Sequence, residues 1–164
     1  MIRKLIMVTV LVWMPVLVLA AEPTVGFSPS QMKASVGETV TVDIIMQDFP
    51  ASEGGGITIR FNPAVVKVIT VAVDDASWSF TGSDGVIDNE GGSVSDILFS
   101  SFTGVSGTAT IATVQFQAIK SGKSRLRIKP SSLNPFASAG EPIKVEFNRG
   151  KIKVGRGGGK KGRS

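Results

Sequence analysis

Residues 57–71 constrain the fold of this chain more than any other segment. The first five of them, Ile-Thr-Ile-Arg-Phe, alternate apolar and polar side chains, which is the period of a half-buried β-strand. Pro63 then has no backbone N–H to donate, so strand pairing must stop there. An apolar run resumes at Val65, and the segment therefore predicts a strand, a corner at Asn62 and Pro63, and a second strand.

Short strands are also predicted along most of the remaining chain. They cover residues 25–27, 39–46, 78–81, 93–102, 108–118, 124–129 and 143–154. Turn residues separate them at 37–38, 83–85 and 121–122, and three glycines at 54–56 predict a flexible connection. No segment has a helical period. This pattern predicts an all-β domain in which two sheets pack face to face.

The composition excludes several kinds of catalytic and metal site. The sequence has no His, Cys or Tyr, so it cannot form a Ser-His-Asp or Cys-His arrangement or a His/Cys zinc site. Disulfides are excluded for the same reason. Hydrophobic burial and strand pairing must therefore stabilise the fold, and 164 residues are enough for one domain with a substantial core.

Residues 1–20 have the features of a secretory signal peptide. Arg3 and Lys4 give a positive start, an apolar run follows to Leu19, and Ala20 precedes the predicted cleavage site. The alternative is an uncleaved membrane anchor, but the run is short for a span and contains Pro15. We expect a secreted protein in the periplasm, at the cell surface or outside the cell, with no stable membrane span after cleavage.

Charge is distributed unevenly along the chain. Of the 18 basic residues, two lie in residues 1–20 and seven from Arg149 onward, which leaves nine against all 13 acidic residues in the 21–148 segment. That segment has a net charge of −4, and its basic residues are not interleaved with aromatic side chains, so we predict no nucleic-acid binding. Residues 155–164 predict a disordered basic tail, either a solubilising end or an electrostatic attachment to an anionic surface.

The acidic residues do not form a recognisable metal or catalytic motif. Residues 83–90 lack the Asp-x-Asp-x-Asp-Gly spacing of a calcium loop, so we predict no metal site and no cofactor. Two carboxylates could serve a glycosidase, but a small sandwich offers no cleft between them. We therefore predict no enzyme activity and no catalytic residues. The acidic residues between positions 74 and 96 are Asp74, Asp75, Asp84, Asp88, Glu90 and Asp96.

Several segments, taken in order, resemble a cohesin domain, the scaffold module that docks dockerin-bearing proteins in cellulosome-type assemblies. They are residues 36–42, 57–71, 93–100, 107–124 and 143–154. The resemblance spans about residues 24–155. It implies a two-sheet jelly-roll β-sandwich of about nine strands over residues 21–154, and it places calcium on the dockerin and not on this chain. Where many cohesins have Asp-Pro at the corner, this chain has Asn62-Pro63, which can still cap the turn.

The resemblance also implies a docking surface on the sheet that holds the third, fifth, sixth and eighth cohesin strands. The two-residue period of a strand decides which side chains on it point outward. The third strand would present Thr58 and Arg60, and the eighth would present Arg125, Arg127 and also Lys129. On the sixth strand, the same period puts Asp96, Leu98 and Ser100 outward, with Leu98 near the middle of the surface and Arg60, Arg125 and Arg127 as a basic flank. These could equally be ordinary solvent-facing positions.

The predicted function is a secreted, non-catalytic docking module that binds a dockerin-bearing protein in trans, with a link to polysaccharide catabolism where that partner is a carbohydrate-active enzyme. One alternative is a carbohydrate-binding module with polysaccharide as its partner, which would require Trp78 to be exposed. Another is a structural or adhesion domain of the cell envelope that self-associates by a strand edge.

Overall fold

The computed structural model describes residues 21–156, which are all-β. The described residues form eleven strands, and the signal peptide predicted at 1–20 lies outside them, as do residues 157–164 of the predicted tail. The strands are β1 (Thr24–Ser28), β2 (Gln31–Ser35), β3 (Thr39–Arg60), β4 (Val66–Val73), β5 (Phe80–Asp88), β6 (Ser93–Ala118), β7 (Gly122–Pro130), β8 (Ala137–Ser138), β9 (Glu141–Pro142), β10 (Glu146–Phe147) and β11 (Gly150–Gly155).

The strands form two sheets that share the long strands β3 and β6. The first sheet has the order β10, β1, the first half of β3, the second half of β6, and β4. The second sheet has the order β5, the first half of β6, the second half of β3, β7, β11 and β2. Neighbours pair antiparallel except for β1 with β10 and β2 with β11, which are parallel. The result is a jelly-roll β-sandwich, as the sequence predicts.

The core lies between the two sheets. Alternate residues of β3 and β6, such as Ile44 and Ile97, are fully buried. Aromatic rings cross the interior, and Phe61, which directly follows β3, meets Phe116 of the first sheet edge-on, with 5.7 Å between ring centroids. This apolar burial replaces the disulfides that the sequence cannot form.

The corner predicted at Asn62 and Pro63 is confirmed. β3 ends at Arg60 and β4 begins at Val66. The Asn62 side-chain Oδ1 accepts the backbone N–H of Ala64 at 3.0 Å, the Asx-type bond expected of an Asn at this position. The Asn62 carbonyl oxygen also accepts the N–H groups of Val65 and Val66, each at 3.1 Å, so the turn is fully hydrogen-bonded.

The glycine-rich segment is a packed part of β3 and not the flexible connection predicted from sequence. A Cβ at Gly55 would lie 2.7 Å from the Phe136 ring, and one at Gly54 would collide with the carbonyl oxygen of Phe99. Only residues without side chains allow these close approaches. The glycines therefore let β3 run without a break from the first sheet into the second. β6 pairs along it as one continuous strand, where the sequence predicts two strands at 93–102 and 108–118.

Two other sequence predictions were wrong in detail. Residues 83–85 lie inside β5 and form no hairpin, because Gly85 takes a positive φ of 102° while pairing with β6 continues on both sides of it. The predicted last strand, 143–154, is broken into β10 and β11. Its two parts pair with different strands, β1 and β7, so the backbone changes neighbours between Phe147 and Gly150.

Within the described part of the chain there is no helix long and apolar enough to cross a membrane.

Candidate functional site

The outward side of the second sheet brings together the residues predicted to form a docking surface. Inward-pointing side chains on its strands, such as Ile59, Phe99 and Leu126, are buried. The alternate side chains are partly or fully exposed, as the two-residue period requires. The predicted surface residues are Thr58 and Arg60 on β3, Asp96, Leu98 and Ser100 on β6, and Arg125 and Arg127 on β7; Thr58 and the three on β6 are half-buried, and the arginines are exposed.

Leu98 lies in a shallow recess formed by two glycines on the neighbouring strands. It is directly opposite Gly56 of β3, and a Cβ at Gly82 of β5 would lie 3.2 Å from the Leu98 Cβ. On the Gly56 side, the segment that follows β7 closes in with Ser131 and Asn134. Leu98 is therefore half-buried. Less of its side chain is exposed than its outward position on the strand alone would suggest.

Asp96 is held in a fixed orientation beside that recess. Its backbone has a positive φ of 56°, and the pairing register between β3 and β6 shifts beside it, between Ile57 and Ile59. The Asp96 Oδ1 accepts the hydroxyl hydrogen bond of Ser131 at 2.8 Å. The bulge and this bond together turn the carboxylate toward the segment after β7.

The arginines form one side of the surface. Arg60 on β3 lies directly opposite Arg127 on β7, and both line a groove of about 510 Å³ together with Lys123 and Arg125. Lys129, next along β7, lies opposite Thr58. The groove gives this flank of the surface a strongly positive character.

Sequence reasoning missed two exposed aromatic residues of the surface. Phe102 is 86% exposed and continues the outward series of Leu98 and Ser100 along β6. Phe80 on β5 is directly opposite Ser100, and its ring meets that of Phe102 edge-on at 4.4 Å between centroids. Extending the two-residue period past Ser100 would have revealed Phe102. We call Leu98, Phe80 and Phe102 the apolar strip.

Trp78 does not form the exposed sugar-stacking platform that a carbohydrate-binding module would need. It is only 1% exposed, and its ring packs on Phe99 with 4.5 Å between centroids. The indole N–H donates to the carbonyl oxygen of Thr110 at 2.9 Å. Trp78 is therefore a core residue with its polar atom satisfied.

Two of the acidic residues, Asp84 and Asp88, accept hydrogen bonds from the backbone. The Asp84 Oδ1 accepts the Val73 N–H at 2.8 Å, and the Asp88 Oδ1 accepts the N–H groups of Glu90 and Gly91. Among residues 21–156, no three acidic side chains converge as metal ligands would. Each of these carboxylates thus has a structural partner in the backbone.

The known proteins to which this chain is similar were found by fold alone. No protein-family model matches the sequence, and no curated protein matches it either. Solved structures do match: the seventh ScaB type I cohesin of Pseudobacteroides cellulosolvens has 19% identity and a TM-score of 0.65, with coverage of 87% of this chain and 98% of that one.

Two further cohesin structures match over a similar extent. A non-cellulosomal cohesin from the archaeon Archaeoglobus fulgidus has 15% identity and a TM-score of 0.68, covering 82% of this chain and 91% of that one. The OlpA cohesin of Clostridium thermocellum, solved in complex with the dockerin Doc918, has 14% identity and a TM-score of 0.69, covering 82% and 99%. The described part of the chain thus has the fold of these cohesin structures.

Proposed function

We propose that this protein is a secreted, non-catalytic docking module that binds a dockerin-bearing partner in trans through the outward side of its second sheet. The observation that carries the proposal is the apolar strip beside a basic flank on one continuous surface. The basic flank consists of Arg60, Arg125 and Arg127. The polar residues of the same surface are Thr58, Asp96 and Ser100.

The composition of this surface suits protein recognition. Protein interfaces have an apolar, often aromatic, centre with a polar and charged rim, and a few buried anchors supply most of the binding energy. Phe102 and Phe80 are the aromatic anchors here, because burying them would remove large exposed apolar areas from water. The arginines offer paired N–H donors for carboxylates on the partner.

The similar structures support a dockerin as the partner. The OlpA cohesin was solved in complex with a dockerin, and so was the OlpC cohesin of the same organism. The sequence identity to these proteins is low, so the proposal transfers only the mode of docking to this chain. Any part in polysaccharide catabolism would come from the enzyme that the dockerin carries.

Export rests on the sequence of residues 1–20. In this proposal that segment directs secretion and is removed after Ala20. The domain would then act in the periplasm, at the cell surface or outside the cell. The basic tail predicted from Gly155 onward would begin one residue later, after the end of β11, and its residues are rich in Gly, Lys and Arg.

The test is capture of partners from the secreted and envelope fractions of the producing organism. Residues 21–156 are immobilised, the fractions are applied with calcium or with a chelator, and captured proteins are identified by mass spectrometry. The proposal expects a protein with a dockerin sequence that is retained only with calcium. Capture of polysaccharide in place of a dockerin-bearing protein, or oligomers of the domain alone, would favour the carbohydrate-binding or adhesion alternatives and contradict the proposal.

A further inference from the structure

A second surface lies on the outward side of the second sheet, on the strands β7, β11 and β2 at the edge farthest from β5. It consists of five basic side chains, which we call the basic face: Lys33 on β2, Lys151 and Lys153 on β11, and Lys123 and Arg125 on β7. On each strand they alternate with buried side chains such as Met32, Ile152 and Leu126. All five therefore point to the same side of the sheet.

The positive charges of the basic face lie directly opposite one another. Lys153 is in register with Lys33 on one neighbouring strand and with Lys123 on the other, and Lys151 is in register with Arg125. Like charges at directly opposed positions in a sheet repel each other. Among residues 21–156 the one ion pair joins two other side chains, Lys144 and Glu22, so no carboxylate forms an ion pair with this face.

Shallow grooves cross the basic face. One of about 250 Å³ is lined by Arg125, Lys151 and also Arg149, and another of about 370 Å³ is lined by Lys33 and Lys153. Glu38 is the one acidic residue that lines them, and its carboxylate accepts the Ser35 N–H at 2.7 Å. The smaller groove meets the arginine groove described above at Arg125, and the basic side chains that line the three grooves lie on β2, β11, β7 and β3.

The chemistry of the basic face selects among anionic ligands. Where β2, β11 and β7 pair with one another, no apolar side chain points outward, so the face lacks the apolar centre of a protein interface and the apolar area that inserts into a membrane. It has no aromatic side chain on which the bases of a single strand could stack. A flat sheet also does not enter the major groove of duplex DNA, which admits a helix or a two-stranded ribbon.

We propose that the basic face binds a linear polysaccharide that carries carboxylate groups. Its charges repeat roughly every 7 Å along a strand and roughly every 5 Å between strands, an array that a polymer with regularly repeated anions can follow. Arg125 adds a planar fork that fits a carboxylate. Bound carboxylates would offset the repulsion between the like charges of the basic face. This binding does not depend on whether the apolar strip docks a dockerin.

The test compares two triple variants of the chain from Ala21 to Ser164, both of which keep the tail. Lys123→Gln, Lys151→Gln and Lys153→Gln together remove three of the five positive charges of the basic face without changing Thr58, Arg60, Asp96, Leu98, Ser100, Arg125 or Arg127. The matched control, Lys67→Gln, Lys120→Gln and Lys144→Gln, removes the same charge elsewhere. Binding to immobilised polygalacturonate is measured at about 0.01 M and about 1 M NaCl.

We expect the basic-face variant to bind polygalacturonate at least about tenfold more weakly at low salt, and the control to bind like the unaltered chain. High salt should abolish the difference, and dextran, which is uncharged, should not bind. Equal binding by the two variants would overturn the proposal. So would binding to duplex DNA or to phosphatidylglycerol vesicles that is as tight as binding to polygalacturonate. A thermal midpoint no lower than that of the unaltered chain, in both variants, would establish that neither result comes from unfolding.

Discussion

Leu98 of β6 lies directly opposite Gly56 of β3, and its Cδ2 atom occupies the space that a side chain at position 56 would need. A Cβ there would lie 2.7 Å from Leu98 Cδ2, 2.9 Å from Ser131 Cβ and 3.1 Å from the Asn134 carbonyl oxygen. The missing side chain of Gly56 thus creates the recess in which Leu98, the member of the apolar strip on the neighbouring strand, rests.

Gly56→Ala should destabilise the domain by about 1–3 kcal/mol, because the new methyl group must displace Leu98 and the segment after β7. Urea unfolding monitored by circular dichroism would measure the change. Gly155→Ala is the matched control, since a Cβ at Gly155 would meet only the Ala34 carbonyl oxygen, at 3.9 Å. An equal loss of stability in both variants would argue against the tight recess.

Trp78 should report on the core and be insensitive to sugars. It is the one tryptophan of the chain after residue 20, so fluorescence of the 21–156 domain comes from it alone. Because the indole is buried, we expect a blue-shifted emission maximum that soluble polysaccharides do not change. A shift on adding cellulose oligosaccharides would restore the carbohydrate-binding alternative.

Trp78→Phe should lower the free energy of unfolding by about 1–3 kcal/mol, because the part-buried Thr110 carbonyl oxygen loses its indole donor. Thermal and urea unfolding would measure the loss. Phe80→Leu is a suitable comparison, since that ring is partly exposed and has no such bond, and it should cost clearly less. Equal losses would contradict a structural role for the Trp78 hydrogen bond.

Phe102→Ser should leave stability within about 0.5 kcal/mol of the unaltered domain, because the ring is almost fully exposed. It should nevertheless weaken binding to the captured partner, since an aromatic anchor is lost. Surface plasmon resonance and urea unfolding on the same samples would separate the two effects. Reduced stability with unchanged binding would show that Phe102 serves the fold and not docking.

Lys153→Gln should stabilise the domain slightly at low salt. Lys153 lies between two opposed like charges, Lys33 and Lys123, and its removal relieves a repulsion of roughly 0.2–1 kcal/mol. The gain should disappear at about 1 M NaCl, where charges on the surface are screened. Lys67→Gln, opposite the uncharged Gln117, is the control and should not be stabilised. The same gain at both salt concentrations would exclude an electrostatic origin.

The period of the strands allowed the sandwich and the outward positions to be predicted from sequence. The alternation around Ile57 and the Asn62 cap depend only on residues close in sequence. The strand and its corner could therefore be inferred without knowledge of the fold. The cohesin-like order of the segments then gave the sheet arrangement. Export and the docking role of the surface remain predictions.

The parts that sequence did not predict depend on contacts between distant strands. Gly54 and Gly55 look like a flexible linker until Phe99 and Phe136 are packed against them. The basic face was hidden in the same way, because Lys33 and the lysines of β11 are more than a hundred residues apart in sequence and only strand pairing places them side by side. Strand pairing brings these residues together, and no local pattern encodes that pairing.

The central claim is that the surface around Leu98 binds the dockerin-bearing partner. The most direct measurement is the affinity of that captured partner, by surface plasmon resonance with calcium, for Leu98→Asp and for Ile69→Asp, which places the same charge at an exposed aliphatic position on β4. We predict that Leu98→Asp abolishes binding while Ile69→Asp leaves it unchanged, with Leu98→Ala between them and all three variants folded. Unchanged affinity in Leu98→Asp, or equal losses at the two positions, would contradict the account.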